Sequence, residues 1–231
     1  MTLLMFREKP TYPPAKLALV KKEITKAGLS DDIKELMRNK EWIRTAWIFT
    51  VILGTWISLG NLLTPLFGDM YSASQISTIG GVFVLFGVAG TVTAGIIIDK
   101  TQAYIKIIRL ICIVCSTMAM LLIWIIPTGN LGLTLISLAL LGTFISPILP
   151  AGYSYSVLIT SPIGPAVSNG FMMTFAQLYA TLWTIIDAAL LTWSLKLGIA
   201  AIMLLMLTTL LTSLALKYPE NRNSLVNSTI Y

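Results

Sequence analysis

The stretch QISTIGGVFVLFGVAGTVTAGIIIDKT, Gln75–Thr101, decides the fold. Residues 76–98 within it carry no charge, and a helix of about 20 apolar residues crosses a hydrocarbon core of ~30 Å. Gly87, Thr91 and Gly95 recur at i, i+4 and i+8, a small-residue stripe against which another helix can pack closely. Asp99 and Lys100 then close the run at what reads as a membrane–water boundary.

Working outward, five more runs of similar length stand at 44–66, 105–127, 131–159, 168–193 and 196–217. The expected fold is all-α and integral to the membrane, a six-helix transmembrane bundle over 44–217 with short connections and antiparallel neighbours. Composition agrees: 56% of the 231 residues are hydrophobic and only 11% charged. Soluble domains carry about 25% charged residues. The mean hydropathy is +0.82, so the bilayer is the first expected partner.

Charge placement sets the expected orientation. Ten of the 16 Lys and Arg residues precede position 45, and Lys100, Lys106, Arg109, Lys217 and Arg222 follow on the same side if the N-terminus is inside. Only Lys196 falls on the other side. Both ends are therefore expected in the cytoplasm, with residues 1–43 as a linker and 218–231 as a tail; plasma and organelle membranes are not distinguished. The basic linker implies attraction to an anionic membrane surface rather than to nucleic acid. Pro10, Pro13 and Pro14 point to an extended stretch. Beyond them Ser30 can cap a short helix with Asp31 and Asp32 in its first turn and Arg38 and Lys40 at its end. Leu29, Ile33, Leu36 and Met37 give it an apolar face, which suits either the membrane surface or a solvated linker. Asn227-Ser228-Thr229 is a formal glycosylation sequon in the expected cytoplasmic tail.

The chain has no histidine, and its two cysteines, Cys112 and Cys115, lie in an apolar run without a polar shell. They read as small packing residues more readily than as a redox or metal pair, and no cofactor or metal is expected. No convergent acid pair and no nucleophile with a base is present, so an enzyme is not expected.

Polar residues inside the spans carry the functional reading. Thr50, Gly54, Ser58, Asn61 and Thr64 share one face of the first span; Gln177, Thr181 and Thr184 share one face of the fifth. The two stripes suit a shared wet cavity near mid-membrane, or hydrogen bonds that hold helices together. Pro147 and Pro150, followed by Gly152, should bend or break the fourth span, either as a hinge lining a solute path or as a structural kink. Pro162 and Pro165 mark the next loop. Asp187 is the one acid well inside a span, six residues from its end. An intramembrane carboxylate is a functional candidate, here a charge site, unless it reaches Lys196 or the interface.

The run Gly95-Ile96-Ile97-Ile98-Asp99-Lys100 resembles the G-x-x-x-D-[RK] core of the major facilitator loop motif. That likeness implies a gating role for Gly95, Asp99 and Lys100, with Asp99 against the start of the fifth span near Ser168-Asn169-Gly170. A capping and topology signal is the plainer alternative. Phe6-Arg7-Glu8-Lys9-Pro10, Leu149-Pro150-Ala151-Gly152-Tyr153 and Ser168-Asn169-Gly170 through Ala176-Gln177 resemble the second half of the feline leukaemia virus subgroup C receptor family of facilitators. The resemblance implies a choline, ethanolamine or haem transporter, with Gln177 in contact with the solute. It departs where the family has a cation-binding aromatic, here Ile57 with Trp56 beside it, and at Ser154 and Leu158.

The expected function is therefore transport of a small organic solute by alternating access. Gln177, Asn61, Ser58, Trp56 and Thr181 are the candidate binding residues. Asp99 is expected to hold one state closed, while Pro147 and Pro150 let the fourth span flex. The resemblance further implies a second six-helix half, from the same gene or a second chain, which would make this chain a fragment or, less readily, a half-transporter that dimerises. A six-span structural or assembly subunit without transport is the alternative.

Overall fold

The computed structural model describes residues 28–217. The Phe6–Pro10 stretch, Pro13, Pro14, Arg222 and the sequon at Asn227 lie outside the described residues. The described chain runs through α1 (Leu29–Arg38), α2 (Lys40–Asn61), α3 (Leu63–Phe67), α4 (Ala73–Thr101), α5 (Tyr104–Ile125), α6 (Leu131–Ile145), α7 (Ile148–Thr160), α8 (Pro165–Trp193) and α9 (Leu195–Leu214). Among the described residues six stretches are long and apolar enough to cross a membrane: α2, α4, α5 with the 3-10 turn that extends it to Thr128, α6 with α7, α8, and α9.

Helix starts follow from side-chain caps. The Asn39 side chain accepts from the backbone N–H of Glu41 and Trp42, each at 3.1 Å, so α2 begins at Lys40, ahead of the expected 44. Ser72 and Gln75 form a reciprocal capping box at the start of α4. Asn130 caps α6 through Leu133 N–H, and Pro165 opens α8 at a position that needs no amide donor. Ser30, expected as a cap, instead lies inside α1. Gly28 holds the capping position without a side-chain bond, because α1 starts two residues earlier. Lys40, expected at the end of α1, belongs to α2, since Asn39 closes one helix and opens the next.

The spans pack in unequal fashion. α2 is the most buried and packs on α7, α8 and α9; α4 pairs with α6, and α5 with α9. Ile48, Phe49 and Ile52 of α2, Phe83 of α4 and Tyr155 of α7 are among the buried core residues. α8 is the least buried span.

The fourth span is broken at a single place. Ser146 and Pro147 separate α6 from α7, and both keep right-handed helical angles, so the axis continues across the break. Pro150 does not add a second break. It falls in the first turn of α7, where no intrahelical amide bond is lost. Pro147 has no N–H for the Thr143 carbonyl, and that oxygen points at Gly90 of α4. A Cβ at Gly90 would stand 2.0 Å from it. Gly142 makes the reciprocal approach, where an added Cβ would come 2.3 Å from the Phe83 carbonyl oxygen. The close seam of α4 is thus made by Gly87 and Gly90. Gly95, expected in that stripe, has no such neighbour within 4 Å.

The end of α9 is tied down by side chains from three other helices. Arg109 of α5 donates to the carbonyls of Ser213, Leu214 and Leu216 at 3.1, 3.3 and 3.0 Å. Arg44 of α2 donates to Ala215 O at 3.2 Å, and Glu41 accepts from Lys217 N–H at 3.1 Å. Tyr155 donates to Lys217 O at 2.7 Å. The last carbonyls of a helix lack intrahelical donors, and a guanidinium supplies several at once.

Candidate solute-binding site

The site is built where α2 and α8 lie side by side. Gly54 allows the contact: the Tyr179 ring and the Ala176 carbonyl sit on it, and an added Cβ would meet Tyr179 Cδ1 at 2.2 Å. α2 and α8 are odd-numbered spans of an antiparallel series and so run the same way. That register sets Gln177 level with Gly54, and Thr181 level with Ser58, with Asn61 one turn farther on.

Gln177 and Thr181 are exposed on the bare face of α8, and Asn61 is exposed at the end of α2. The Gln177 amide makes no hydrogen bond among the described residues, so its donors and acceptor are open to a ligand. Thr181 is less free, because its hydroxyl donates to the Gln177 backbone carbonyl at 2.9 Å. Thr174 and Thr184 likewise spend their donors on carbonyls one turn back. The helical wheel turns Ile57 and Asn61 toward the open side of α2.

Two expected binding residues lie elsewhere. Ser58 is buried and its hydroxyl has no partner among the described residues, so it faces the packed side of α2. Trp56 turns toward α4, its ring centroid 6.4 Å from that of Phe83. It lines a separate groove of about 310 Å³ with Ile57, Gly60, Leu63, Gly80, Phe83 and Val84. Its indole N–H is buried and unpartnered. The structure thus leaves Gln177, Thr181 and Asn61 exposed and turns Trp56 and Ser58 away from them, while half-exposed Ile57 edges the Trp56 groove.

Asp99 and Lys100 are exposed in the last turn of α4. Asp99 makes no salt bridge or hydrogen bond among the described residues, and α4 packs on α6 and α7. The expected contact of Asp99 with the start of α8 is absent here. Ser168 is instead paired with the Ser156 hydroxyl of α7. Cys112 and Cys115 are buried and free on α5, and no group of three metal-ligating side chains occurs among the described residues.

Sequence reasoning missed one pair, Tyr179 and Trp183, whose rings stack at 6.1 Å and 7° beside the Gln177 level. Their spacing of four was visible, but both read as ordinary apolar bulk on a membrane helix.

A membrane bundle of six spans, one of them broken at mid-length and one largely bare with a polar stripe, is a polytopic α-helical membrane protein. The chain belongs to the Major Facilitator Superfamily, whose family model it matches over residues 1–186. It is 29% identical over 197 residues to the choline/ethanolamine transporter FLVCR1 of Felis catus, covering 83% of this chain and 35% of that protein. It is 24% identical to the human choline/ethanolamine transporter FLVCR2, over 80% of this chain and 36% of the relative. Against flvcr2a of Danio rerio, also named a choline/ethanolamine transporter, identity is 28% over 81% of this chain and 41% of the relative. The chain spans little more than a third of the length of the curated relatives it matches.

Proposed function

We propose that this chain acts as one six-helix half of a transporter that moves a small choline- or ethanolamine-like solute by alternating access. The observation that carries the reading is the unpartnered Gln177 amide on the exposed face of α8. It lies level with the open side of α2 in a chain whose relatives are named for such solutes. In hydrocarbon an amide without partners costs several kcal/mol. A polar stripe of Thr174, Gln177 and Thr181, set among exposed Leu178, Leu182 and Ile185 on the least buried span, therefore fits a solute path shared with a second six-helix half.

In this mechanism no covalent bond changes. Gln177 hydrogen-bonds the hydroxyl or amine of the solute, and Asn61 and Thr181 line the same opening. The break at Pro147, with Pro150 in the following turn, lets α7 tilt while α6 stays on α4. Asp99 and Lys100, exposed on the end of the bundle that carries α1, meet the complementary half when that end closes. That end faces the cytoplasm, as the clustering of Lys and Arg supports.

The test is uptake of radiolabelled choline and ethanolamine by proteoliposomes holding the full polypeptide that contains this chain. Gln177→Ala should lower uptake about tenfold or more, the cost of an unpaired polar group at a recognition site. Detergent-solubilised yield and melting temperature should not change. Unchanged uptake in the variant would remove Gln177 from the site; no uptake by the unmodified protein would remove the transport reading and favour a structural subunit.

A further inference from the structure

Asp187 stands apart from the solute face. It lies on α8, two turns beyond Tyr179 and six residues before the helix ends at Trp193, and is only 1% exposed. Its Oδ1 is buried without a hydrogen-bond partner. It packs over Gly198 of α9 beside Leu191, and a Cβ at Gly198 would come 3.2 Å from Oδ1. The glycine thus makes the space that the carboxyl occupies, between two helices that expose apolar side chains on their other faces.

No side chain among the described residues forms a salt bridge with Asp187. Among the described residues, the one charged side chain on α9 is Lys196, which is exposed and makes no salt bridge. Lys40, Glu41 and Arg44 of α2 and the charged residues of α1 belong to the opposite end of the bundle. α3 has no charged residue, and α7 offers only Tyr153 and Tyr155 as titratable groups. On α8 itself the other titratable group is Tyr179.

A lone carboxylate in such a place is costly while it is ionised. Metal cations are poor candidates to neutralise it, since hard cations take several oxygen ligands, whereas Leu191 and Gly198 present no side-chain oxygen. A proton needs only the carboxyl oxygen itself. Towards mid-membrane α8 and α2 hold four more buried polar atoms: Trp183 Nε1 and Ser58 Oγ, which have no partner among the described residues, and Tyr179 OH and Thr55 Oγ1, which lie side by side. Tyr179 lies beside Thr55 and within electrostatic range of Asp187. From Tyr179 to Asp187 the seam covers eight residues, or about 12 Å of helix. It starts at the level of Gln177.

We propose that Asp187 is a proton-binding site, filled and emptied from the end of the bundle opposite α1, and that the seam of Trp183, Tyr179 and Thr55 links its occupancy to the solute face. Coupling to transport rests on the transporter reading above; the site itself does not. The carboxyl gains a proton from water at that end and returns it during the cycle, with no other bond made or broken.

Two measurements separate the parts. Infrared difference spectra of the purified full polypeptide in lipid, recorded across pH, should show a protonated-carboxyl C=O band that titrates. The band should vanish in Asp187→Asn and persist, shifted, in Asp187→Glu. A spectrum in which Asp187→Asn removes no titrating band overturns the site whether or not the protein transports. Uptake of choline in proteoliposomes should vary with the pH on the Asp187 side by up to about tenfold per pH unit, the limit for one proton. Asp187→Asn should flatten that profile. Parallel profiles for the two proteins overturn the coupling. A titrating band with no uptake by the unmodified protein overturns the transporter reading and leaves the site standing.

Discussion

At the scale of single residues, the site turns on which side of a helix each side chain faces. Trp56 and Ile57 are neighbours in sequence but lie about 100° apart around α2. The structure gives Trp56 to Phe83 and leaves Ile57 half-exposed at the edge of the same groove. With the solute path running along that edge, as proposed, an aromatic ring at position 57 would present its face to a cation held by Gln177. Ile57→Phe is expected to lower the KM for choline by roughly two- to fivefold, in line with a cation–π gain of 0.5–1 kcal/mol. The same change should have little effect for an uncharged solute. Kinetic uptake with both solutes checks the expectation, and an unchanged choline KM would place the cation elsewhere. The need of Gln177 for a partner was legible in the sequence, since an amide in an apolar span has to be explained. Ser58 was not correctly read: periodicity put it on a polar face, but that face is shared between the open side and the seam with α8.

At the scale of the helix, two contacts decide stability, and they differ in how legible they were. Small residues on the second span announced a tight seam, but the sequence could not say which ones would be used. Gly90 is used because Pro147, on another helix, leaves the Thr143 carbonyl without its donor, and Gly90 lets that oxygen approach. Gly90→Ala would place a Cβ 2.0 Å from the oxygen and should destabilise the bundle by about 1–3 kcal/mol. Gly95→Ala has open space and should be silent or slightly stabilising. Thermal unfolding in detergent compares the two, and equal effects would mean that the seam lies elsewhere. The second contact, Arg109 on the end of α9, was invisible beforehand, because its partners are backbone carbonyls more than 100 residues away. Arg109→Ala should cost about 1.5–3 kcal/mol, as expected for bonds from a charged donor. Arg109→Lys should recover only part of this, since an ammonium lacks the planar fork.

Across the whole molecule, the number of spans was readable because lipid leaves so few ways to satisfy a backbone. What the sequence left open was the packing order, which makes α2 the most buried span and α8 the least. A bare α8 with polar Thr174, Gln177 and Thr181 is the main evidence for a face turned away from lipid. Orientation can be tested directly in a Cys112→Ser, Cys115→Ser background. A cysteine at Lys34 should react with an impermeant maleimide only after the cytoplasmic side is opened. A cysteine at Asp69 should react from outside in intact cells. The reverse pattern would invert the proposed topology and move Asp187 to the cytoplasmic end.

The clamp on α9 also bears on how the protein is made. Arg109 enters the membrane early with α5, while the carbonyls that it binds emerge only after the rest of the bundle has been synthesised. Until then its charge has no permanent neighbour at that end. Variants truncated before Ser213 would keep an unsatisfied guanidinium at the rim, a mark by which membrane quality control could tell an unfinished bundle from a finished one.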